Sequence, residues 1–106
     1  MTIGELEKAL NMTRANIRFY EQEGFIHPVR GANNYRDYSP QDADILRKVK
    51  LLRQLGLSLE EIRQAQRGDR PLSDLLRERE AALEQQQEEL AWAGQVCRAL
   101  REDRAE

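Results

Sequence analysis

Two helix starts lie eleven residues apart at the head of the chain, and the second helix they open is closed by a glycine. Thr2-Ile3-Gly4-Glu5 has the form of a capping box, in which a hydroxyl and a carboxylate each accept from the other residue's backbone N–H. Ile3, Leu6 and Leu10 repeat at helical spacing with Ala9 beside them, so a helix is expected over about residues 3–10. Thr13 supplies a second cap, and Gly24 can take the left-handed conformation that stops a helix. Between the two, Leu10-Asn11-Met12 must turn the chain, and asparagine tolerates positive φ better than most residues. Helix, short turn, capped helix is the helix-turn-helix unit, although a plain helical hairpin inside a bundle satisfies the same local pattern.

The second helix is two-sided. Ile17 and Tyr20 share one side with Thr13, while Arg14 and Arg18 stack four apart on a neighbouring face near Asn16. A helix that is apolar on one side and carries arginines near its N-terminus suits the major groove of DNA. Its free N–H groups favour phosphate, and arginine reads guanine edges or grips phosphates.

After Gly24 the texture changes. Phe25 to Arg30 is extended in character, Gly31-Ala32-Asn33-Asn34 is turn chemistry, and Tyr35-Arg36-Asp37-Tyr38 is extended again. This predicts a β-hairpin wing, with two aromatics on one face and Arg36 on the other; a surface loop is the plainer alternative. His27, with no second histidine and no nearby cysteine, is expected to be solvent-exposed rather than a metal ligand. Ser39-Pro40 starts a third helix, along which Ala43, Leu46, Val49 and Leu52 form a stripe widened by Ile45 and Leu55. Arg47, Lys48, Lys50 and Arg53 cover its other faces, and Gly56 ends it. Ser58-Leu59-Glu60-Glu61 is another capping box, opening a short helix to about Gln66 before the break Arg67-Gly68-Asp69-Arg70-Pro71.

The rest, from Leu72 to about Arg101, reads as one long helix. Leu76, Leu83, Leu90 and Cys97 are seven apart, Leu72, Ala93 and Leu100 take the complementary heptad position, and Leu75, Ala82 and Val96 flank the seam. Arg79 and Gln86 interrupt it. Such a helix spans about 45 Å. An apolar stripe of that length with nothing in the chain to cover it predicts a homodimer, unless the helix folds back on its own domain. Cys97 falls on the seam as a small apolar residue. Trp92 points outward from it, to pack on the partner's domain or to wall a small apolar effector pocket. The expected division is a domain over residues 1–70 and a dimerisation helix over 71–106.

Composition excludes several classes. No apolar run is long enough to span a membrane, and the N-terminus has no basic-then-apolar leader, so a cytoplasmic protein is expected. One cysteine cannot form an internal disulfide or a thiolate cluster, so neither a metal nor another cofactor is expected. No nucleophile–base pair or metal constellation suggests an enzyme. The net charge of −2 hides an asymmetry: residues 1–57 hold nine Lys/Arg against seven Asp/Glu, and residues 58–106 eight against twelve. The basic excess lies with the helix-turn-helix.

Taken together, Ile3-Gly4-Glu5-Leu6, Thr13-Arg14-Ala15-Asn16-Ile17-Arg18-Phe19-Tyr20-Glu21 and Gly24-Phe25-Ile26 resemble the amino-terminal signature of the mercury-resistance regulator (MerR) family. Asn34 to Tyr38 resembles its wing, and Leu55-Gly56-Leu57-Ser58-Leu59-Glu60-Glu61-Ile62 the entry to its fourth helix. Two residues depart from the pattern: Asn11 stands where glycine is common, and Phe19 where tyrosine is common, which removes one hydroxyl. The resemblance implies a mainly α winged helix-turn-helix domain followed by an antiparallel dimer coil. It implies a homodimeric transcription regulator that bends and untwists a promoter with an overlong spacer, realigning it for RNA polymerase. The DNA contacts it implies are Thr13, Arg14, Asn16, Arg18, Phe19 and Tyr20 from the helix, Tyr35, Arg36 and Tyr38 from the wing, and Arg53 from the third helix. Metal-sensing relatives carry cysteines at the start of the dimer helix, where this chain has Leu72-Ser73-Asp74. Either the regulator is minimal, or a small-molecule effector binds at the dimer itself. A phage-type architectural or excision protein, and a coiled-coil adaptor without nucleic acid, are the alternative readings.

Overall fold

The computed structural model describes residues 1–104. It contains α1 (Ile3–Leu10), α2 (Arg14–Gln22), β1 (Val29–Arg30), β2 (Arg36–Asp37), α3 (Pro40–Leu55), α4 (Leu59–Arg67) and α5 (Leu72–Arg104). A first compact unit covers Met1–Arg63 and a second begins at Gln64.

Caps set the helix boundaries in the first unit. Thr2 Oγ1 accepts from the Glu5 N–H at 3.1 Å, and Glu5 Oε1 accepts from the Thr2 N–H at 3.1 Å. Ser39 and Asp42 make the same reciprocal pair at the start of α3, and Ser58 and Glu61 at the start of α4. Asn11 takes the left-handed conformation (φ 51°) that joins α1 to the Thr13 cap, as its side chain suggested. At the end of α2 Gly24 has φ 82°, which lets its own N–H reach the Glu21 carbonyl and the Phe25 N–H reach the Tyr20 carbonyl. Phe25 then meets Tyr20 edge to face, with ring centroids 6.0 Å apart. This is the hydrophobic contact that accompanies such a helix end.

The core gathers one face from each helix. Leu6 and Leu10 of α1, Met12 of the turn, Ile17 of α2, Ile26, Tyr38, and Ala43 and Leu46 of α3 form a single buried cluster. Val49, Leu52, Leu57 and Ile62 are buried as well. Fully burying a side chain such as Leu46 stabilises the fold by about 1.5–3 kcal/mol, so this small set of contacts sets the stability of the unit.

The wing is smaller than the alternation suggested. Its strands are two residues each, paired antiparallel as Val29 with Asp37 and Arg30 with Arg36. Phe25 and Ile26, expected to open the first strand, are instead core residues, 1% exposed. The loop closes through the Gly31 N–H to the Tyr35 carbonyl at 2.8 Å, with Asn34 at φ 62°. The expectation that Tyr35 and Tyr38 share a face is corrected. A strand has period two, so Arg36 and Tyr38 point the same way, into the domain, while Tyr35 is 76% exposed.

In the second unit Gly68 (φ 78°) ends α4 and Pro71 precedes α5. Within α5 the seam residues Leu72 and Leu76 are half-buried, whereas Leu83, Leu90, Ala93, Cys97 and Leu100 are exposed, as is Trp92. Leu75, expected beside the seam, is fully buried in the single chain and is no part of the exposed stripe. No helix among the described residues is long and apolar enough to cross a membrane.

Candidate nucleic-acid interface

The exposed side of α2 is built by the cap that starts it. Thr13 Oγ1 accepts from the Asn16 N–H at 3.2 Å, which directs the first turn, with Arg14, Ala15 and Asn16, outward. Ile17 is 0% exposed and holds the opposite side in the core. Tyr20 is half-buried on that same inner side, packed between Phe19 and Phe25, while Phe19 keeps an exposed ring 5.4 Å from Tyr20.

Three arginines expected at DNA converge on one cleft. It encloses about 530 Å³ and is lined by Arg14 and Arg18 of α2, Asn34, Tyr35 and Arg36 of the wing, and Thr2, Ile3 and Gly4 at the start of α1. Their guanidiniums differ in attachment. Arg14 places Nε and Nη2 on Glu7 Oε1 at 3.1 Å each. Arg36 donates from Nε to Glu21 Oε2 at 2.8 Å. Arg18 has no hydrogen-bond or ion-pair partner among the described residues, and its head is left to whatever enters the cleft.

Glu21 is the residue the sequence reading missed. It is half-buried on α2, and its second oxygen, Oε1, accepts from the Tyr38 hydroxyl at 3.0 Å. The spacing held a signal: position 21 is four after the core residue Ile17, so it had to lie on the inner side of α2. Burial, and then the hydrogen bond and negative charge of Glu21, push the Tyr38 hydroxyl up to about 12, against the pull of Arg36 and Arg18. Its own hydrogen bond to Glu21 Oε2, and the charge of Glu21, raise the pKa of Arg36. Tyr38 is therefore removed from the DNA-contacting set: its ring is 1% exposed and its hydroxyl is committed to Glu21.

A second groove, of about 350 Å³, runs along the turn and α3, lined by Asn11, Met12, Thr13, Asn16, Tyr20, Lys50, Arg53 and Gln54. Arg53 is exposed there, and donates from Nη1 to the Leu57 carbonyl at 3.1 Å. Lys50, expected on an outer face, turns inward and donates from Nζ to the carbonyls of Leu10 and Asn11 at 2.9 and 3.0 Å. It thereby satisfies two of the free acceptors at the end of α1. Arg63 of α4 likewise donates to the Glu23 carbonyl at the end of α2, and lies 5.2 Å from the Phe25 ring centroid. His27 is exposed, and no group of three His, Cys, Asp or Glu among the described residues could hold a metal ion.

The site has close relatives in known proteins. The family model described as MerR HTH family regulatory protein matches residues 1–69. The HTH-type transcriptional regulator HmrR of Rhizobium leguminosarum bv. viciae is 45% identical over 64 residues, which are 60% of this chain and 50% of that protein. The chain thus spans about half the length of the curated relatives it matches. Among solved structures, the lead-bound transcription regulator PbrR691 of Ralstonia metallidurans CH34 superposes with a TM-score of 0.76 at 30% identity, over 95% of this chain and 85% of that one. HiNmlR, a MerR family regulator lacking the sensor domain and solved on promoter DNA, shares the fold: TM-score 0.62, 22% identity, 94% of this chain and 77% of that one. With its helix-turn-helix, wing and fourth helix all inside the matched region, the chain belongs to the MerR HTH family of regulatory proteins.

Proposed function

We propose that this chain is a DNA-binding transcription regulator that acts as a homodimer on double-stranded promoter DNA. The observation that carries the reading is the single cleft lined by Arg14, Arg18 and Arg36, which joins the recognition helix to the wing. Arg18, with its free guanidinium, and Asn16, exposed in the first turn, reach base edges in the major groove. Arg14, Arg36 and Arg53 each spend one edge of the guanidinium on the protein and offer the rest to phosphate. Tyr35 lines that cleft from the wing, Thr13 lines the second groove, and Phe19 adds an exposed ring on α2. The functional division is at 70/71, where Gly68 and Pro71 interrupt the helices.

The exposed seam of α5, from Leu83 through Leu90, Ala93 and Cys97 to Leu100, pairs with a second copy in an antiparallel coil. Trp92 beside it packs on the partner's DNA-binding domain or walls an effector pocket there. The coil sets two heads on a pseudo-palindrome, and the dimer acts by bending and untwisting an overlong promoter spacer for RNA polymerase, in the cytoplasm. The relatives are regulators, which leaves the excision-protein and adaptor readings without support. They also give no reason to assign an enzyme activity.

The test is a selection of bound duplexes from a randomised pool, followed by titration of the enriched sequence at several salt concentrations. Binding should weaken steeply with salt as condensed counterions are released. Arg18→Ala should cost about 1–3 kcal/mol on the enriched duplex and relax its sequence preference. Arg36→Ala should weaken binding to the enriched duplex and to a scrambled one. Unchanged binding in both variants would remove the assignment.

A further inference from the structure

Glu21 is an unexpected residue to find among DNA-facing arginines. A carboxylate at that surface repels phosphate and lowers affinity for any nucleic acid. Its side chain is nevertheless only 19% exposed and both of its oxygens are occupied, one by Arg36 Nε at 2.8 Å and one by the Tyr38 hydroxyl at 3.0 Å. The grip on Arg36 is on one edge only. Among the described residues its two Nη groups have no hydrogen-bond partner, and the side chain stays 31% exposed beside the cleft. Tyr38, buried in the core, anchors the carboxylate from behind. Glu21 stands three residues after Arg18, about one turn along the same helix.

From this arrangement we infer that Glu21 is a positioning residue for sequence discrimination: it locks the wing's Arg36 to the recognition helix at a set distance from Arg18. The inference rests on the DNA-binding reading above. When Arg36 docks on a phosphate, Arg18 is held in register with one set of base edges and cannot slide to another. An arginine fixed beforehand also loses less freedom on contact. Glu21 therefore lowers affinity in general and raises the preference for the right sequence.

The two effects of Glu21 have opposite signs, which makes the experiment decisive. The full chain is titrated against the duplex enriched by the wild type and against a scrambled duplex of the same composition. Glu21→Gln removes the charge and keeps the shape. If Glu21 positions Arg36, scrambled DNA should bind as well or better, while the ratio of the two affinities falls at least fivefold. In an Arg36→Ala background the same substitution should change that ratio by less than twofold. Should Glu21→Gln fail to fold by circular dichroism, Arg36→Lys decides. It retains the cation but lacks the rigid planar fork that holds Glu21 and phosphate at a set distance, so the ratio should fall as well. An unchanged ratio in whichever variant folds overturns the inference. A wild type that enriches no sequence overturns the DNA-binding reading and this inference with it.

Discussion

Replacing Lys50 with Met should destabilise the helix-turn-helix although the residue stands on a helix crowded with surface cations. Its ammonium donates to the Leu10 carbonyl at 2.9 Å and the Asn11 carbonyl at 3.0 Å, bridging α3 to the end of α1. A hydrogen bond to a charged group contributes about 1.5–3 kcal/mol. The two carbonyls do not lose equally: the bond to Asn11 is exposed and water replaces it, while the bond to Leu10 is partly buried and its acceptor is left short. Methionine keeps most of the apolar stem, so lost packing adds little. The net cost is about 2 kcal/mol, which for a domain of this size lowers the melting midpoint by roughly 8–16 °C. Lys48→Met makes the same change of charge and side chain on the same helix. Lys48 is exposed and has no hydrogen-bond or ion-pair partner among the described residues. It should stay within about 0.5 kcal/mol of wild type. The assay is thermal unfolding by circular dichroism at one fixed chain concentration, because the midpoint of a dimer depends on concentration. Equal midpoints for the two variants would show that Lys50 is an ordinary surface lysine.

Further outcomes follow from the seam, the tryptophan and the buried tyrosine. Leu90→Asp places a carboxylate on the proposed dimer seam, where burial without a partner is costly. The variant should sediment as a monomer and lose DNA binding, and a persistent dimer would move the interface elsewhere. Trp92 is 66% exposed in the single chain, so an emission maximum that shifts to shorter wavelength on dimerisation is expected. A water-exposed spectrum in the dimer would refute its packing on the partner. Because the Tyr38 hydroxyl is pushed up to about 12, the folded state holds the proton more tightly than the unfolded chain, whose tyrosine titrates near 10. That stabilisation is complete below pH 10 and is lost as pH climbs towards 12. Tyr38→Phe should flatten this alkaline decline in stability, and an unchanged decline would mean that other groups cause it.

What this sequence determined alone is its local grammar. Thr2, Thr13, Ser39 and Ser58 cap helices through bonds to residues three positions away, and Gly24, Gly56 and Gly68 close them through their own backbone freedom. Such interactions lie within one helical turn, so spacing reveals them. The stripe Ala43, Leu46, Val49 and Leu52 is legible for the same reason, since burial follows the helical period. Tertiary structure decided the polar side of the site. Glu21 meets Arg36 and Tyr38 across 15 and 17 residues, Lys50 reaches Asn11 across 39, and Arg63 reaches Glu23 across 40. No periodicity links such pairs; each exists only because packing brings two elements distant in sequence together. The wing was half-legible. Four residues of alternating pattern identify a hairpin, but two paired residues per strand are too few to state which face is buried. That choice was made by Tyr38 entering the core, which carried Arg36 inward to Glu21 and turned Tyr35 out to solvent.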